Sequence, residues 1–247
     1  MQHKYQGEET EYRVPEGTQS IDELAFAGSD RLEKLYLPDS VVHIGNYAFM
    51  NCYSLREIRM PERVDSFGAG LFQNCWQLRK IRLPGGVKIL GTDMFENCHG
   101  LTELSIPASV KKVARTSFSG CRSLVKIHIS PEQIELLPAS ARYTAVLTYM
   151  EEHAGDPLNG EDEAESENAE VIGNYVKERQ KSFLDLAINR RSAEAVRYMT
   201  DHELLSDDAL REYLSRSAAK GRTEITALLL ESVKDIKKPA LDEDPFA

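Results

Sequence analysis

The chain has 247 residues, of which 41% are hydrophobic and 28% are charged, and its formal net charge is −10 at pH 7. This composition is typical of a globular protein with one elongated domain or two compact ones. The net acidity and the lack of a long apolar run give no reason to expect binding to nucleic acid or to a membrane. The N-terminal stretch has no apolar segment of the secretory type, so we expect a cytoplasmic protein.

Residues 1–9 are polar, and we expect a flexible N-terminus there. From residue 10 onwards a pattern repeats every 23 residues in three sets of positions. These are Pro15, Pro38, Pro61, Pro84 and Pro107; Phe26, Phe49, Phe72, Phe95 and Phe118; and Cys52, Cys75, Cys98 and Cys121. A repeat of this length predicts a solenoid, in which each coil buries its apolar side chains against its neighbours.

Residues 55–77 form one copy of this repeat. Inward-facing Ile58 and Met60 alternate with charged residues, which predicts a short, half-buried strand. Pro61 has no N–H group and therefore ends the strand. A second short extended segment follows, and then a helical turn that carries Phe72.

The residue before each repeat cysteine, or before the matching position in the first copy, is asparagine or glycine. These residues are Gly28, Asn51, Asn74, Asn97 and Gly120. Both types tolerate a left-handed backbone, so we predict a left-handed turn here; a ladder of asparagine side chains is the alternative. The cysteine spacing does not match a metal site, and we predict buried, reduced thiols.

The consensus Leu-x-x-Ile-x-Leu-Pro, Val-x-x-Ile-Gly and Ala-Phe-x-x-Cys resembles the BspA-type bacterial leucine-rich repeats. The resemblance covers about residues 10–138. It implies an α+β, right-handed leucine-rich-repeat solenoid with short strands and helical turns. In that family the repeats bind proteins or ligands, often in cell-surface adhesins. A cell-surface adhesin or host-binding protein is therefore the alternative to a cytoplasmic module.

Residues 139–150 predict a helix, with Ser140 as its N-cap, that covers the open end of the solenoid. The solenoid with its cap is thus expected to span residues 10–150. Residues 151–173 predict an acidic linker, because nine acidic residues and no Lys or Arg lie between positions 151 and 170.

The rest of the chain predicts a small all-α domain over residues 174–236 and a loose tail over residues 237–247. The stretches from Leu184 to Met199 and from Ser217 to Leu230 resemble two ankyrin helix pairs. Their spacing is 30 residues, and the Thr-Pro-Leu-His signature of ankyrin repeats is missing. A plain helical bundle is the alternative for this domain.

Two groups of outward-facing residues are candidates for partner binding. The first occupies the strands and the second follows the repeat cysteines. They are Lys34, Tyr36, Arg59, Lys80, Arg82, Lys126 and His128; and Tyr53 and Trp76. The first group favours a protein partner with an acidic surface, and the second has residue types found at binding hot spots. The alternative for the first group is a sheet face that is only solvated. The alternative for the second group is that its aromatic rings cover the edge of each coil.

The sequence carries no nucleophile elbow, phosphate-binding loop, dinucleotide fingerprint or zinc-protease motif. We therefore predict no catalytic residues, no metal and no cofactor. The most direct interpretation is a non-catalytic protein–protein interaction module, such as a scaffold or adaptor, that binds through the solenoid surface. An enzyme with an unrecognised site is a further alternative.

Overall fold

A computed structural model describes Tyr5, residues 7–155 and residues 163–236, without the side chains of residues 163–165 and 234–236. The predicted tail lies outside this part of the chain. The described residues confirm the predicted fold class, because coils with short parallel strands are followed by helices.

The chain divides into two compact units, residues 1–148 and residues 149–247. In chain order the strands of the first unit are β1 (Glu11–Arg13), β2 (Ser20–Ile21), β3 (Lys34–Tyr36), β4 (His43–Ile44), β5 (Glu57–Arg59), β6 (Ser66–Phe67), β7 (Lys80–Arg82), β8 (Ile89–Leu90), β9 (Glu103–Ser105), β10 (Lys112–Val113) and β11 (Lys126–His128). Each described coil but the last thus supplies a first strand of three residues and a second strand of two. The proline after each first strand separates the two.

Equivalent strands stack in parallel, one repeat apart. The first strands form two sheets, β1-β3-β5 and β7-β9-β11, and the second strands form β2-β4-β6 and β8-β10. Leu35, for example, pairs with Tyr12 on one side and with Ile58 on the other. This register places the inward side chain of each coil directly above that of the next.

The repeat phenylalanines form a continuous column inside the solenoid. Successive ring centroids from Phe26 to Phe118 lie 5.8, 5.4, 5.5 and 6.1 Å apart. Phe49, Phe72 and Phe95 are fully buried. One coil does not enclose such a ring alone, so stacking of the coils creates the core.

The turn before each cysteine confirms both of the interpretations that the sequence allowed. Asn51, Asn74 and Asn97 have φ of 60°, 60° and 57°, and Gly28 and Gly120 have φ of 78°. The Asn74 amide also donates to the side-chain oxygen of Asn51 at 2.7 Å, and that of Asn97 donates to Asn74 at 3.1 Å. The asparagines therefore supply a left-handed backbone and a side-chain ladder at once.

The helices are α1 (Ala139–Glu152), α2 (Glu163–Lys177), α3 (Gln180–Arg190), α4 (Ala193–Asp201), α5 (Asp207–Ala219) and α6 (Thr223–Ile236). A 3-10 helix, Pro131–Leu136, precedes α1. The Thr148 hydroxyl of α1 accepts the N–H of Ile127, 3.1 Å away, and so satisfies a backbone donor of the last strand. The predicted N-cap is wrong, because the helix already begins at Ala139 and Ser140 lies in its first turn.

Two predicted segments are described in part by the structure. The whole of the expected linker beyond residue 162 forms part of α2, in which Ile172 and Val176 are buried one helical turn apart. Within the expected flexible N-terminus, the structure describes Tyr5 and residues 7–9. The ring of Tyr5 packs 4.7 Å from that of Tyr12, and its N–H donates to Ala25 at 2.7 Å.

In the second unit, α3 and α4 are followed 30 residues later by α5 and α6. Arg191 and Gly221 lie just after α3 and α5 and have left-handed φ of 61° and 65°. The next residue in each case, Ser192 or Arg222, donates its N–H to a carbonyl five residues earlier, at 2.9 Å. This is the Schellman type of helix ending, so two helix pairs share one geometry.

Candidate functional site

The outward residues of the first strands form two parallel rows, which together we call the strand face. The first row is Glu11, Lys34, Glu57, Lys80, Glu103 and Lys126. The second row is Arg13, Tyr36, Arg59, Arg82, Ser105 and His128. The parallel register brings all seven of the predicted strand residues onto this face.

The first row alternates in sign along the whole solenoid. Lys80 lies 2.5 Å from Glu103, and Lys34 lies 4.0 Å from Glu57. The hydrogen bond from Lys80 lowers the pKa of the Glu103 carboxyl, and the nearby charge of Lys80 adds to this. The first row therefore neutralises itself and contributes little net potential.

The second row carries the excess positive charge. The Arg13 guanidinium lies 4.0 Å above the ring of Tyr36, and Arg59 lies 3.6 Å from Asp39. Arg82 is exposed and makes no ion pair within the described residues. His128 lies 3.3 Å from Glu103. Arg13 also lies 3.2 Å from Glu11. The positive charge of this row is therefore least compensated at Arg82.

Two hollows lie on the strand face beside this row. One, of about 350 Å³, is lined in part by Ile58 and Met60, and the other, of about 360 Å³, by His128 and Ile129. Arg82 lines both hollows. A cation next to partly exposed apolar side chains can receive a carboxylate and an apolar side chain from one partner.

The second predicted group, Tyr53 and Trp76, does not lie on the strands. These residues lie in the turns that precede β5 and β7. The ring of Tyr53 lies 4.3 Å from that of Trp76, and His99 continues the column at 6.3 Å. Trp76 is 46% exposed. The Tyr53 and Trp76 rings are tilted by 39° to each other, whereas the Trp76 and His99 rings are stacked, so the three side chains form one partly exposed aromatic column.

The repeat thiols are hydrogen-bonded, and all but the partly exposed Cys121 are buried. Burial raises the pKa of Cys52 to about 12 and that of Cys75 well above its ordinary value. The Cys75 thiol donates to the carbonyl of Phe49 at 3.2 Å. Within the described residues no group of three His, Cys, Asp or Glu side chains is placed to hold a metal ion.

Sequence reasoning missed two features of the strand face. Arg13 belongs to the second row, and the repeat spacing from Tyr36 would have found it. The partial exposure of Ile58 and Met60 had no such signal, because both match the buried consensus. No helix in the described part of the chain is long and apolar enough to cross a membrane.

Comparison with solved structures places the solenoid among bacterial leucine-rich repeat proteins. A leucine rich cell surface protein from Faecalibacterium prausnitzii A2-165 is 33% identical, with a TM-score of 0.52, over 55% of this chain and 37% of that one. A leucine rich repeat protein from T. pallidum is 27% identical, with a TM-score of 0.44, over 51% of this chain and 72% of that one. The chain therefore spans well under half the length of the Faecalibacterium protein. No curated protein matches it.

The family described as BspA type leucine rich repeat region matches six copies over residues 4–138. This match ends before α1, so the ankyrin-like character of the helices is not confirmed and stays a prediction. Because the match covers more than half of its residues, the chain belongs to the BspA type leucine rich repeat family.

Proposed function

We propose that the chain is a non-catalytic interaction module, a scaffold or adaptor, which binds an acidic protein partner on the strand face. The observation that carries this proposal is the second row, where Arg59 and Arg82 project from neighbouring coils and Arg82 lines two hollows. Family membership supports it, because stacked repeats present extended surfaces of this kind to protein partners.

Capture from a lysate of the source organism, followed by mass spectrometry, tests the proposal. The bait variant is Arg59→Glu/Arg82→Glu. Lys80 is left unchanged, because its ammonium group already pairs with Glu103. The matched control is Arg115→Glu/Arg122→Glu, which reverses two exposed arginines of the fifth coil (residues 101–123) that lie off the strand face.

We expect a protein that wild type and control capture equally and that the Arg59→Glu/Arg82→Glu variant loses, with unchanged circular dichroism. Capture should weaken as salt is raised, since exposed charges are screened over about 8–10 Å. Equal capture by all three proteins would overturn the proposal and direct attention to the Tyr53–Trp76 column.

A second candidate function is binding at the cell surface, as an adhesin or host-binding protein. The likeness to the Faecalibacterium cell surface protein, at 33% identity, favours it. Protease treatment of intact cells tests this candidate, with a cytoplasmic enzyme as the control. Digestion of the chain while the control enzyme stays intact would support a surface location, and protection of both would contradict it.

A further inference from the structure

The strand ladders are interrupted between the third coil (residues 55–77) and the fourth (residues 78–100). Elsewhere the residue after a first strand donates its N–H to the next coil, as Leu37 does to Arg59 at 3.4 Å and Leu83 does to Ser105 at 3.2 Å. Met60 makes no such bond to Arg82 within the described residues. Neither β5 and β7 nor β6 and β8 are paired there.

The turns of the same two coils remain fully paired. Gly70 donates its N–H to Thr92 at 2.9 Å, and Phe72 donates to Met94 at 2.8 Å. The Phe72 and Phe95 rings also stay stacked, with an interplanar angle of 4°. The two coils are therefore joined on the turn side and open on the strand side, as a wedge.

The second, third and fourth coils have a glycine at the same repeat position, and these glycines give an independent measure of the distance between coils. A Cβ atom added at Gly45 would lie 2.6 Å from the backbone of the preceding coil, and one at Gly68 would lie 2.2 Å away. At Gly91 the nearest atom would be 3.7 Å away, on Ala69. At this position the fourth coil thus stands farther from the third than the third and second coils do from their predecessors. The two coils still approach at the corner before β8, where a Cβ atom at Gly86 would lie 2.8 Å from the Val64 carbonyl oxygen.

The wedge partly exposes apolar side chains that other coils bury. Leu35 and Leu104, the equivalents of Ile58, are fully buried, whereas Ile58 is half-buried. Met60 is half-buried as well. The hollow of about 350 Å³ runs from β5 across β7 to β9. Besides Ile58 and Met60 it is lined by Lys80, Ile81 and Arg82, and by Glu62, Glu103 and Ser105.

The ion pairs of the first row are also interrupted at the wedge. Glu57 pairs backwards with Lys34 at 4.0 Å, and Lys80 pairs forwards with Glu103 at 2.5 Å. No ion pair crosses the wedge among the described residues. Arg82 stands at its rim without an acidic partner.

We propose that this wedge is a docking site for an extended peptide segment of a partner protein, which carries an apolar side chain next to a carboxylate. The apolar side chain enters between β5 and β7 against Ile58 and Met60, and the carboxylate meets Arg82. The peptide main chain pairs with the open strand edges, the recognised mode of strand addition. This inference rests on the proposed function and specifies where on the strand face the partner binds.

The chemistry of the wedge selects this occupant. Unpaired strand edges require backbone donors and acceptors, which an extended peptide supplies. Carboxylates are the natural complement of an unpaired guanidinium. The paired turns form a hinge about which the wedge can widen to admit the segment.

A disulfide staple across the wedge tests the proposal. The variant Glu57→Cys/Lys80→Cys joins β5 to β7, and the control Lys34→Cys/Glu57→Cys joins the paired strands β3 and β5. Paired strands lie about 4.7–4.9 Å apart, within the range of a disulfide. Both variants remove one lysine and one glutamate, so their net charge is the same. Cys52, Cys75 and Cys98 are buried, and partial burial raises the pKa of Cys121 to about 12, so little native thiolate competes for oxidation.

The probe is a display library of random short peptides selected on the wild-type chain. We expect recovered peptides to share an apolar residue beside Asp or Glu, and to lose about tenfold or more in affinity on the oxidised staple across β5 and β7. The reduced form of that variant and the oxidised control should bind as wild type does. Bound peptide should also slow amide exchange at Met60 and Lys80.

Peptides that bind the oxidised staple as tightly as wild type would overturn the wedge proposal, as would a selection that recovers none. The two proposals fail separately. If the Arg59→Glu/Arg82→Glu variant loses its partner while the oxidised staple retains it, the strand face binds the partner but the wedge does not. If both variants retain the partner, both proposals fail.

Discussion

The thiol of Cys75 donates a hydrogen bond to the carbonyl oxygen of Phe49, 3.2 Å away. The same contact, at 3.0–3.2 Å, joins each repeat cysteine to the phenylalanine 26 residues earlier. The same carbonyl also accepts the backbone N–H three residues later in its own turn, so each thiol adds a second hydrogen bond to that acceptor. A cysteine at this position is thus both a small apolar side chain and a donor.

We predict that these thiols resist alkylation in the folded chain. Burial raises the pKa of Cys52 and Cys121 to about 12, so little reactive thiolate forms near pH 8. Cys121 is the partly exposed one and should react first. Mass spectrometry after iodoacetamide treatment measures the order, with the urea-unfolded chain as control. Rapid modification of Cys75 in the folded chain would contradict this account.

The asparagine ladder gives a second prediction, with two substitutions at one position. Asn74→Gly removes the side-chain bonds to Asn51 and Asn97 but keeps a backbone suited to a φ of 60°. Asn74→Ala removes the same bonds and adds left-handed strain, about 1–2 kcal/mol. Urea unfolding should therefore show Asn74→Ala as the less stable of the two. Equal stability would mean that the backbone conformation contributes nothing at this turn.

The left-handed turn was predictable because asparagine and glycine stand there in every copy. A second left-handed position, which also recurs every 23 residues, was not predictable. It is occupied by Leu24, Tyr47, Gly70 and Asp93, with φ between 53° and 60°. These side chains share no chemical property, so the geometry comes from stacking of the coils rather than from local preference.

Other differences have similarly local causes. The cap helix begins before Ser140, and the Ala141 N–H bonds to the carbonyl of Pro138 at 2.8 Å. The acidic segment resembled a linker by composition, yet Ile172 and Val176 give part of it an apolar stripe. The wedge could not be predicted, because the third and fourth coils keep apolar residues at the inward positions of the repeat. Spacing and residue type specify which side chains face inward, but they do not specify how closely two coils approach.

A third prediction concerns acid stability and Glu103. The hydrogen bond from Lys80 lowers the pKa of this carboxyl in the folded chain. A group of this kind stabilises the fold above its unfolded pKa, and the contribution is lost as the pH falls through the folded pKa. Glu103→Gln should therefore lose less stability than wild type between about pH 5 and about pH 3.

The effect should be about 0.5 kcal/mol, because the Glu103 and Lys80 side chains are 29% and 70% exposed and solvent screens the pair. Urea unfolding across this pH range measures it. Lys80→Met removes the partner and should give the same flattened profile. A Glu103→Gln curve that runs parallel to that of wild type would show that the pair does not contribute.

The last prediction compares Gly68 with Gly91, which occupy the same position in consecutive coils. Gly68→Ala places a Cβ atom 2.2 Å from the backbone N of Asn46, so the coils must separate and the chain should lose about 1–3 kcal/mol or more. Gly91→Ala places it 3.7 Å from Ala69, an ordinary contact. Alanine there should be neutral or stabilise by about 0.4–1 kcal/mol, since it lowers the entropy of the unfolded chain.

Thermal and urea unfolding of the two variants decide between an open and a closed wedge. If the third and fourth coils approached each other as closely as the second and third do, Gly91→Ala would clash as Gly68→Ala does. Equal losses would therefore show that the wedge is closed in solution. A loss confined to Gly68→Ala would show that the wider spacing persists there, and that it is a property of these two coils rather than of the repeat.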